Sequence, residues 1–151
     1  MPMKARKVLI IGCGKIAGNG ENAGIETHAG ALQSQEQLEL SACIDQDFDK
    51  AVQFSQKYGC RAYRDLFAAL EEDSFDLVSI CTPDLTHFSV TEEVLKSTSP
   101  PKAILLEKPA CRTLDEYNEM MTLAENFNTL VIINHTRRFN YKYAWLRKFI
   151  K

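Results

Sequence analysis

The sequence predicts an α/β domain built on a doubly wound parallel sheet. Apolar runs alternate with helical patterns along the chain, and most of these runs are continuous rather than interrupted by polar residues. Continuous, β-branched runs are typical of strands that are covered on both faces. Because strand–helix–strand units connect parallel neighbours, the order βαβαβαβαβαβ favours one sheet with helices on both sides.

Six segments supply the predicted strands. The third is a short Arg-Ala-Tyr segment, and the others are rich in leucine, isoleucine and valine. They occupy residues 7–11, 38–44, 61–63, 77–81, 103–106 and 130–134.

Four segments between the strands carry apolar residues at helical spacing, and they occupy residues 47–58, 64–71, 86–97 and 113–126. Gly59 is expected to end the first of these helices. Thr113, with Glu116 three residues later, forms the capping-box signature at the start of the last one. These start and stop signals support the alternating order of strands and helices.

A terminal segment is predicted to be helical and to follow the sheet domain. We divide the chain into a sheet domain, residues 1–139, and a terminal helix, residues 140–151. On a helix, Tyr141, Trp145 and Phe149 recur every four residues and lie along one side. This stripe either packs onto the sheet domain or is covered by a second copy of the chain or by a partner chain.

Length and composition are those of one globular domain. The chain has 151 residues, of which 45% are hydrophobic and 25% charged, with a net charge of -2. With no basic stripe, a nucleic acid is not an expected partner. No apolar run approaches the roughly 20 residues of a membrane helix, and the apolar run near the start is too short for a signal-peptide core. We therefore expect no membrane association and a cytoplasmic location.

The cysteines indicate neither a disulfide framework nor a metal site. There are five of them, an odd number, and none forms a C-x-x-C pair. Neither disulfides nor zinc are therefore expected. Cys43 and Cys81 lie in apolar strand contexts and are interpreted as small core residues.

The first strand leads into a G-x-G-x-x-A turn, the looser form of the dinucleotide-binding fingerprint. Gly12 allows the tight turn, Gly14 lets the backbone approach a pyrophosphate, and Ala17 suits close packing of helix on strand. The alternative is a methyltransferase, whose glycine loop also follows a strand. The acidic residue usual in that class would fall at Ile10, so a dinucleotide is favoured over S-adenosylmethionine.

The segment after Ala17 is too rich in glycine for a regular helix. Residues 18–24 are expected to interrupt the helix, which resumes near Thr27 or His28. Two interpretations remain open. The segment is either a flexible loop over the cofactor or substrate, or a tolerated insertion at the surface.

Asp45 ends the second strand, where a carboxylate can accept hydrogen bonds from both hydroxyls of the adenosine ribose and repel a 2′-phosphate. Neighbouring Gln46 and Asp47 supply no cation for such a phosphate. NAD is therefore favoured over NADP. Asp45 can also serve as the N-cap of the next helix, although Asp47 is the better placed cap.

A loop that follows the fourth strand is expected beside the pyrophosphate and the nicotinamide ribose. It contains Cys81, Thr82 and Pro83, and Thr86 is expected to cap the next helix. His87 is either part of the cofactor site or, more commonly for such a residue, a member of the first helical turn.

Glu107, Lys108 and Pro109 follow the fifth strand and form the sharpest candidate site. Pro109 restricts Lys108 to an extended conformation. The Lys108 ammonium can bind a substrate hydroxyl and stabilise negative charge during hydride transfer, and Glu107 can hold that ammonium. The alternative is a solvated Glu–Lys pair on a loop.

Two arginines and a histidine follow the sixth strand. His135, Arg137 and Arg138 can meet an anionic or polyhydroxyl ligand, or they belong to a surface between domains.

Taken together, these motifs resemble the glucose–fructose oxidoreductase/inositol dehydrogenase (Gfo/Idh/MocA) family. The resemblance rests on the glycine turn, Asp45, the loop from Cys81 to His87, Glu107-Lys108-Pro109 and Arg137-Arg138-Phe139. It implies an N-terminal Rossmann domain of an NAD(P)-dependent oxidoreductase acting on a sugar, cyclitol or sugar nucleotide. It also implies that Lys108 is the catalytic lysine.

The resemblance extends to the cofactor contacts. The residues expected to contact the cofactor are Gly12, Gly14, Lys15, Ile16, Ala17, Asp45, Cys81, Thr82, Pro83, His87, Glu107, Lys108 and Arg138.

Family members continue into a C-terminal α/β domain that supplies the substrate pocket and an aspartate–histidine pair. These 151 residues contain no counterpart of that domain, so we expect the isolated chain to be catalytically incomplete. The alternative function is a non-catalytic NAD-binding or interaction module that works with a partner chain.

Overall fold

The fold is a six-stranded parallel sheet in the order β3-β2-β1-β4-β5-β6, seen in a computed structural model that describes residues 4–20 and 24–150. The strands are β1 Arg6–Ile11, β2 Leu38–Ile44, β3 Arg61–Tyr63, β4 Leu77–Ile80, β5 Ala103–Glu107 and β6 Leu130–Asn134. The chain winds outward from β1 to β3 and then crosses to β4 beside β1. The predicted doubly wound α/β fold is confirmed, and its topological switch point lies between β1 and β4.

Seven helices are found in the described part of the chain. They are α1 His28–Gln33, α2 Phe48–Tyr58, α3 Leu66–Glu72, α4 His87–Leu95, α5 Leu114–Asn126, α6 Thr136–Phe139 and α7 Tyr141–Leu146. Gly59 ends α2 in the left-handed conformation, with φ 72°. Thr113 caps α5, since its hydroxyl accepts from the Glu116 amide at 3.1 Å, while the Glu116 carboxylate reaches back to the Arg112 amide.

The helices form two layers, each with its own apolar core. One core lies beneath α1 and α2 and contains Val8, Ile10 and Phe54, and the other lies beneath α3, α4 and α5 and contains Leu9 and Met120. Successive residues of β1 point to opposite faces, so one strand contributes to both cores. Phe54 is fully buried, and its truncation to alanine would cost about 3–5 kcal/mol.

The structure corrects two predicted caps. Thr86 occupies the residue before α4, but its hydroxyl donates to the Pro83 carbonyl because a 3₁₀ turn, Asp84–Thr86, precedes the helix. Asp47 occupies the N-cap position of α2, yet its side chain makes no capping hydrogen bond. Both helices therefore begin without the predicted side-chain cap.

The predicted helix over residues 140–151 is wrong in its extent. Asn140 has extended backbone (φ −72°, ψ 126°) and separates α6 from α7, which ends at Leu146. The Asn140 side chain accepts from the Lys142 amide at 3.0 Å and caps the start of α7, so the predicted start of the helix is close to the observed one, whereas its end is not. Lys151 lies outside the described residues. None of the helices that the structure describes combines the length and apolar character needed to cross a bilayer.

Candidate functional site

The residues singled out by sequence lie where four adjacent strands end. Gly12 follows β1, Asp45 follows β2, Cys81 follows β4 and Lys108 follows β5. Since all these strands are parallel, their carboxyl ends meet at one edge of the sheet, on both sides of the switch point. Open α/β sheets bind their ligands at this edge.

Gly12 is required by the close approach of two loops. Its φ is +91°, and a Cβ atom there would lie 2.8 Å from the carbonyl carbon and oxygen of Cys81 and from the amide nitrogen of Thr82. These are backbone atoms that cannot move independently of the strand, so a side chain is excluded. Gly12 thus lets the fingerprint loop pack against the loop after β4.

Gly14 is glycine for a different reason. A Cβ atom there would meet no atom within 4 Å. Gly14, Lys15 and Ile16 are exposed, whereas Ala17 is fully buried against the sheet, as predicted for helix–strand packing. The outer side of this turn is therefore open to a ligand, and its inner side belongs to the core.

Asp45 connects the fingerprint loop with the end of β2. Its half-buried carboxylate accepts from the Cys13 amide at 2.8 Å and from the Asp47 amide at 2.9 Å. A carboxylate offers about four lone-pair sites, so acceptor capacity remains for ribose hydroxyls. Asp47, not Asp45, holds the N-cap position of α2, which leaves Asp45 as a residue of the loop edge.

Helical hydrogen bonds join the residues before and after an insertion that follows the fingerprint. The His28 amide donates to the Ile16 carbonyl at 3.1 Å, and the Ala29 amide donates to the Ala17 carbonyl at 2.9 Å. A regular helix joins residues four apart, whereas these pairs are twelve apart. Eight residues are therefore looped out of an otherwise continuous hydrogen-bond ladder. The predicted restart near Thr27 or His28 is confirmed, with Thr27 capping α1 by accepting from the Gly30 amide.

The first part of the glycine-rich segment is fastened to α2. Lys57 Nζ donates to the carbonyls of Gly18 and Gly20 at 2.9 and 3.0 Å, and the Tyr58 hydroxyl donates to Gly18 at 2.7 Å. Gly18 has φ +134°, which disfavours other residues. Residues 21–23 of the predicted flexible loop lie outside the described residues, so both interpretations of the loop stay predictions.

A buried polar cluster lies beside the Lys108 turn. Glu107 is 8% exposed, and its Oε1 accepts from His28 Nε2 at 2.9 Å and from Asn134 Nδ2 at 2.5 Å. His28 Nδ1 lies 2.6 Å from the Ser79 hydroxyl. A ring protonated at Nε2 donates to Glu107 and accepts from Ser79, which satisfies all three groups.

Glu107 therefore does not hold the Lys108 ammonium, and that expectation is wrong. Two donors on the α1 side of the sheet hold the buried carboxylate, while the lysine next to it is exposed. Sequence reasoning missed His28 and Ser79 as members of this site. Their only signal was a polar residue within an apolar strand and a histidine at the start of a helix.

His87 lies on the other side of the Lys108 turn. Its ring is 1% exposed, with Nδ1 at 2.6 Å from the Pro109 carbonyl and Nε2 at 2.9 Å from the Thr82 carbonyl. The ring bridges the loops after β4 and β5, and the peptide between Lys108 and Pro109 is cis. Both ring nitrogens face backbone oxygens, so a direct contact of this ring with a cofactor stays a prediction.

The loop after β4 retains one unused polar atom. Thr82 Oγ1 is buried and makes no hydrogen bond within the described residues. Such a group costs free energy unless a ligand or water forms a hydrogen bond with it.

The other residues of this loop have structural roles. Burial raises the pKa of the Cys81 thiol to about 12, so this thiol stays protonated and structural. Pro83 is exposed and leads into the 3₁₀ turn.

Arg138 lies on α6, directly after β6, and is exposed. It therefore belongs to the carboxyl edge of the sheet, but at a strand farther from the switch point than Gly12 and Asp45. Its contact with a cofactor stays a prediction.

Comparison with known proteins identifies the family to which the chain is related. Residues 6–135 match the model of the Gfo/Idh/MocA oxidoreductase family, described as an NAD-binding Rossmann fold. The chain belongs to this family. Its matched region contains the glycine turn, Asp45 and Lys108, so the family assignment covers the whole carboxyl edge through β6.

Two relatives illustrate the resemblance in sequence. A 4-carboxy-2-hydroxymuconate-6-semialdehyde dehydrogenase from Sphingobium sp. SYK-6 is 26% identical over 133 residues, covering 87% of this chain and 41% of the relative. A UDP-N-acetylglucosamine 3-dehydrogenase from Acidithiobacillus ferrooxidans is 27% identical over 124 residues, covering 80% of this chain and 38% of the relative. The chain thus spans about two fifths of the length of these relatives.

Solved structures share the fold. The WlbA dehydrogenase from Chromobacterium violaceum, in complex with NADH and UDP-GlcNAcA, superposes with a TM-score of 0.85 at 22% identity over 98% of this chain and 40% of that chain. A 3-ketoreductase from Actinomadura kijaniata, in complex with NADP and TDP-benzene, gives 0.83 at 20% identity over 97% and 42%. At this identity the likeness establishes the fold alone.

Proposed function

We propose that the chain is the NAD(H)-binding domain of an oxidoreductase that transfers hydride to or from a carbinol carbon of a sugar, cyclitol or sugar nucleotide. One observation carries this proposal: the Cys13 amide is bonded to the Asp45 carboxylate, which fixes the open fingerprint loop against the residue expected to bind ribose. The similarity to the Acidithiobacillus relative, a dehydrogenase of a sugar nucleotide, supports the substrate class.

The residues present fit a dinucleotide. The open space at Gly14 suits a pyrophosphate, the remaining acceptor sites of Asp45 suit ribose hydroxyls, and the unpartnered Thr82 hydroxyl suits a further polar contact. When bound, the nicotinamide supplies or accepts the hydride. The exposed Lys108 ammonium would then hold the substrate hydroxyl and stabilise negative charge that develops on its oxygen during hydride transfer.

We further propose that the chain prefers NAD(H) to NADP(H). The Asp45 carboxylate is fixed by two backbone amides, so it cannot swing away from a 2′-phosphate without breaking both bonds. Like charges at this position disfavour the phosphorylated cofactor, whereas hydroxyls gain charge-assisted hydrogen bonds of about 1.5–3 kcal/mol.

Titration calorimetry with NADH and NADPH tests the proposal on three proteins: the wild-type chain, Asp45→Asn and Asp49→Asn. We expect the wild type to bind NADH at least about tenfold more tightly than NADPH, which corresponds to about 1.4 kcal/mol. Asp45→Asn should lose most of that preference. Asp49→Asn makes the same charge change on the exposed first turn of α2 and should keep it.

Tighter binding of NADPH by the wild type would contradict the cofactor preference. Binding of S-adenosylmethionine with no response to either nicotinamide cofactor would contradict the function itself and would favour the methyltransferase alternative.

We also expect the isolated chain not to turn over polyols, inositols or nucleotide sugars with NAD. Both buried histidines are already bonded within the protein, which leaves the exposed Lys108 as the group expected to assist proton transfer. NADH absorbance after addition of a substrate panel measures this. Turnover of about 1 per second or faster, within the usual range of enzymes, that disappears in Lys108→Ala would show that the chain is catalytically sufficient. Absence of turnover with intact NADH binding leaves the non-catalytic binding module as the alternative role of the chain by itself.

A further inference from the structure

We infer that two buried histidines, His28 and His87, are positioning residues that hold the Lys108 turn, one from each helical layer. The inference deepens the function proposed above and rests on it. His28 begins α1, which packs on one face of the sheet, and His87 begins α4, which packs on the other. The two rings contact the residues immediately before and after Lys108.

The first contact fixes the residue before the lysine. His28 Nε2 donates to Glu107 Oε1 at 2.9 Å, and the two side chains are only 5% and 11% exposed. Burying a carboxylate is costly unless it is paired and hydrogen-bonded. Because Asn134 also donates to Glu107, the carboxylate is held by residues from α1 and from the end of β6. The end of β5 is thus tied to the helix that follows the fingerprint loop.

The second contact fixes the residue after the lysine. His87 Nδ1 lies 2.6 Å from the Pro109 carbonyl, and Nε2 lies 2.9 Å from the Thr82 carbonyl. Pro109 has no amide hydrogen, so its carbonyl is its only backbone hydrogen-bonding group. A neutral ring has one N–H, and the shorter distance assigns it to Nδ1, which donates to the Pro109 carbonyl. The Lys108 turn is thereby tied to the first residue of α4, next to the loop that contains the unpartnered Thr82 hydroxyl.

Between these two fixed points, the Lys108 side chain is exposed. Its backbone is held on both sides, while its ammonium is free to meet a ligand. Reacting groups must be placed within fractions of an ångström, and such placement depends on neighbours that are themselves locked by hydrogen bonds. The buried Glu107 carboxylate is best explained by this role, since it forms no ion pair with the lysine next to it.

Amide substitutions can remove one contact of each ring and keep the other. The asparagine amide ends near the position of imidazole Nδ1, and the glutamine amide reaches the position of Nε2. His28→Gln therefore keeps a donor for Glu107, whereas His28→Asn keeps only the Ser79 contact. In the same way, His87→Asn keeps a donor for the Pro109 carbonyl, whereas His87→Gln moves its amide toward the Thr82 carbonyl and loses the bond to Pro109.

The readout is the dissociation constant for NADH compared with that for ADP-ribose, measured by calorimetry on the full chain. ADP-ribose lacks only the nicotinamide, so the difference between the two ligands reports the nicotinamide end of the site next to Lys108. We expect His28→Asn and His87→Gln to weaken NADH binding by about fivefold to tenfold, the effect of one lost hydrogen bond, and ADP-ribose binding by less than about twofold. His28→Gln and His87→Asn should leave both constants within about twofold of the wild type.

Two results would overturn the inference. Equal weakening of both ligands in a contact-removing variant, with a matching fall in melting temperature, would show that the histidines serve general stability only. Identical constants for the asparagine and glutamine variants at one position would show that the contact with the Lys108 turn is not what matters there. If the wild type bound neither ligand, the proposed function and this inference would both be wrong. If the wild type bound NADH but the variants affected NADH and ADP-ribose equally, only this inference would be wrong.

Discussion

Gly12 and Gly14 lie two residues apart in one loop, and the structure gives them different reasons to be glycine. Gly12 combines a positive φ with backbone atoms at 2.8 Å from a Cβ position, so its requirement comes from folding. Gly14 has open space around it, so its requirement comes from the ligand. Substitution of Gly12 is therefore expected to affect the stability of the fold, and substitution of Gly14 to affect ligand binding.

This separation gives a paired prediction. Gly12→Ala should lower the free energy of unfolding by about 2–4 kcal/mol, from strain at positive φ and overpacking against the loop after β4, and the melting temperature by roughly 5–15 °C. Gly14→Ala should change stability by less than about 1 kcal/mol and still weaken NADH binding about tenfold or more. Thermal unfolding and calorimetry check both effects. A stable Gly12→Ala, or a Gly14→Ala with unchanged affinity, would contradict the roles assigned to them.

At this scale, sequence reasoning located the residues that follow strands. Asp45 and Lys108 were predictable because a turn residue at the carboxyl end of a parallel strand lies at the ligand-binding edge. The partners of Glu107 were not predictable, because His28 is 79 residues away in sequence and Asn134 is 27 residues away. A Glu-Lys dipeptide suggests a local pair, whereas tertiary packing places the two side chains in different environments.

The helix after the fingerprint shows how an element can tolerate an insertion. The ladder from Ile16 and Ala17 continues directly at His28 and Ala29, so the looped-out residues do not change the direction or the register of α1. Sequence predicted the interruption from its glycines and the approximate restart. It could not predict the register, because hydrogen bonds across an insertion depend on how the two helical pieces pack on the sheet.

Deletion of residues 20–27 tests whether the helical hydrogen bonds continue across the insertion. Removing eight residues makes His28 the fourth residue after Ile16, so the fold should be kept with a melting temperature within about 4 °C of the wild type. Deletion of residues 20–26, one residue fewer, is the matched control. It rotates His28 by about 100° around the helix and leaves the buried Glu107 with Asn134 but without His28, at a cost of about 1–3 kcal/mol.

Melting curves followed by circular dichroism compare the two deletions. Equal stability of the seven- and eight-residue deletions would show that the helical register between Ile16 and His28 does not matter. Loss of folding in the eight-residue deletion alone would show that the insertion itself is required.

On the scale of the whole molecule, residues 139–150 form an aromatic segment that no other described residue covers. Every residue of this segment is exposed, including Trp145 at 60% and Phe149 at 68%, whose ring centroids are 4.5 Å apart. The alternative that the terminal helix packs onto the sheet domain is therefore not what the structure shows. Exposed apolar patches of this kind commonly mark association sites.

We predict that the chain self-associates, or binds a partner chain, through the aromatic segment. Light scattering of the wild type at high concentration should show a species larger than the monomer, and Trp145→Ala with Phe149→Ala should shift it toward the monomer with little loss of stability, because both side chains are exposed. Phe67→Ala, at a position that is 70% exposed on α3, is the control and should leave association unchanged. A monodisperse wild-type monomer would refute association of this chain with itself.

The fold as a whole was predictable because six apolar runs alternate with five helical segments, which leaves few topologies that satisfy right-handed, parallel crossovers. The terminal region was less predictable. There the aromatic spacing predicted one helix over residues 140–151, whereas α7 begins at Tyr141 and ends at Leu146. Hydrophobic periodicity indicates which side of a helix is apolar but does not fix the residue at which the helix ends.

The central claim is that NAD(H) binds at the carboxyl edge of the sheet, across the switch point between β1 and β4. Titration of a ¹⁵N-labelled chain with NADH, followed by amide chemical shifts, tests this most directly. We expect the largest shifts at Gly14, Asp45, Thr82 and Lys108, and none beyond experimental error at Lys7, Asp76 and Lys102 on the opposite edge of the sheet. Shifts centred on that opposite edge or on the aromatic segment, or no shifts at all at saturating NADH, would contradict it.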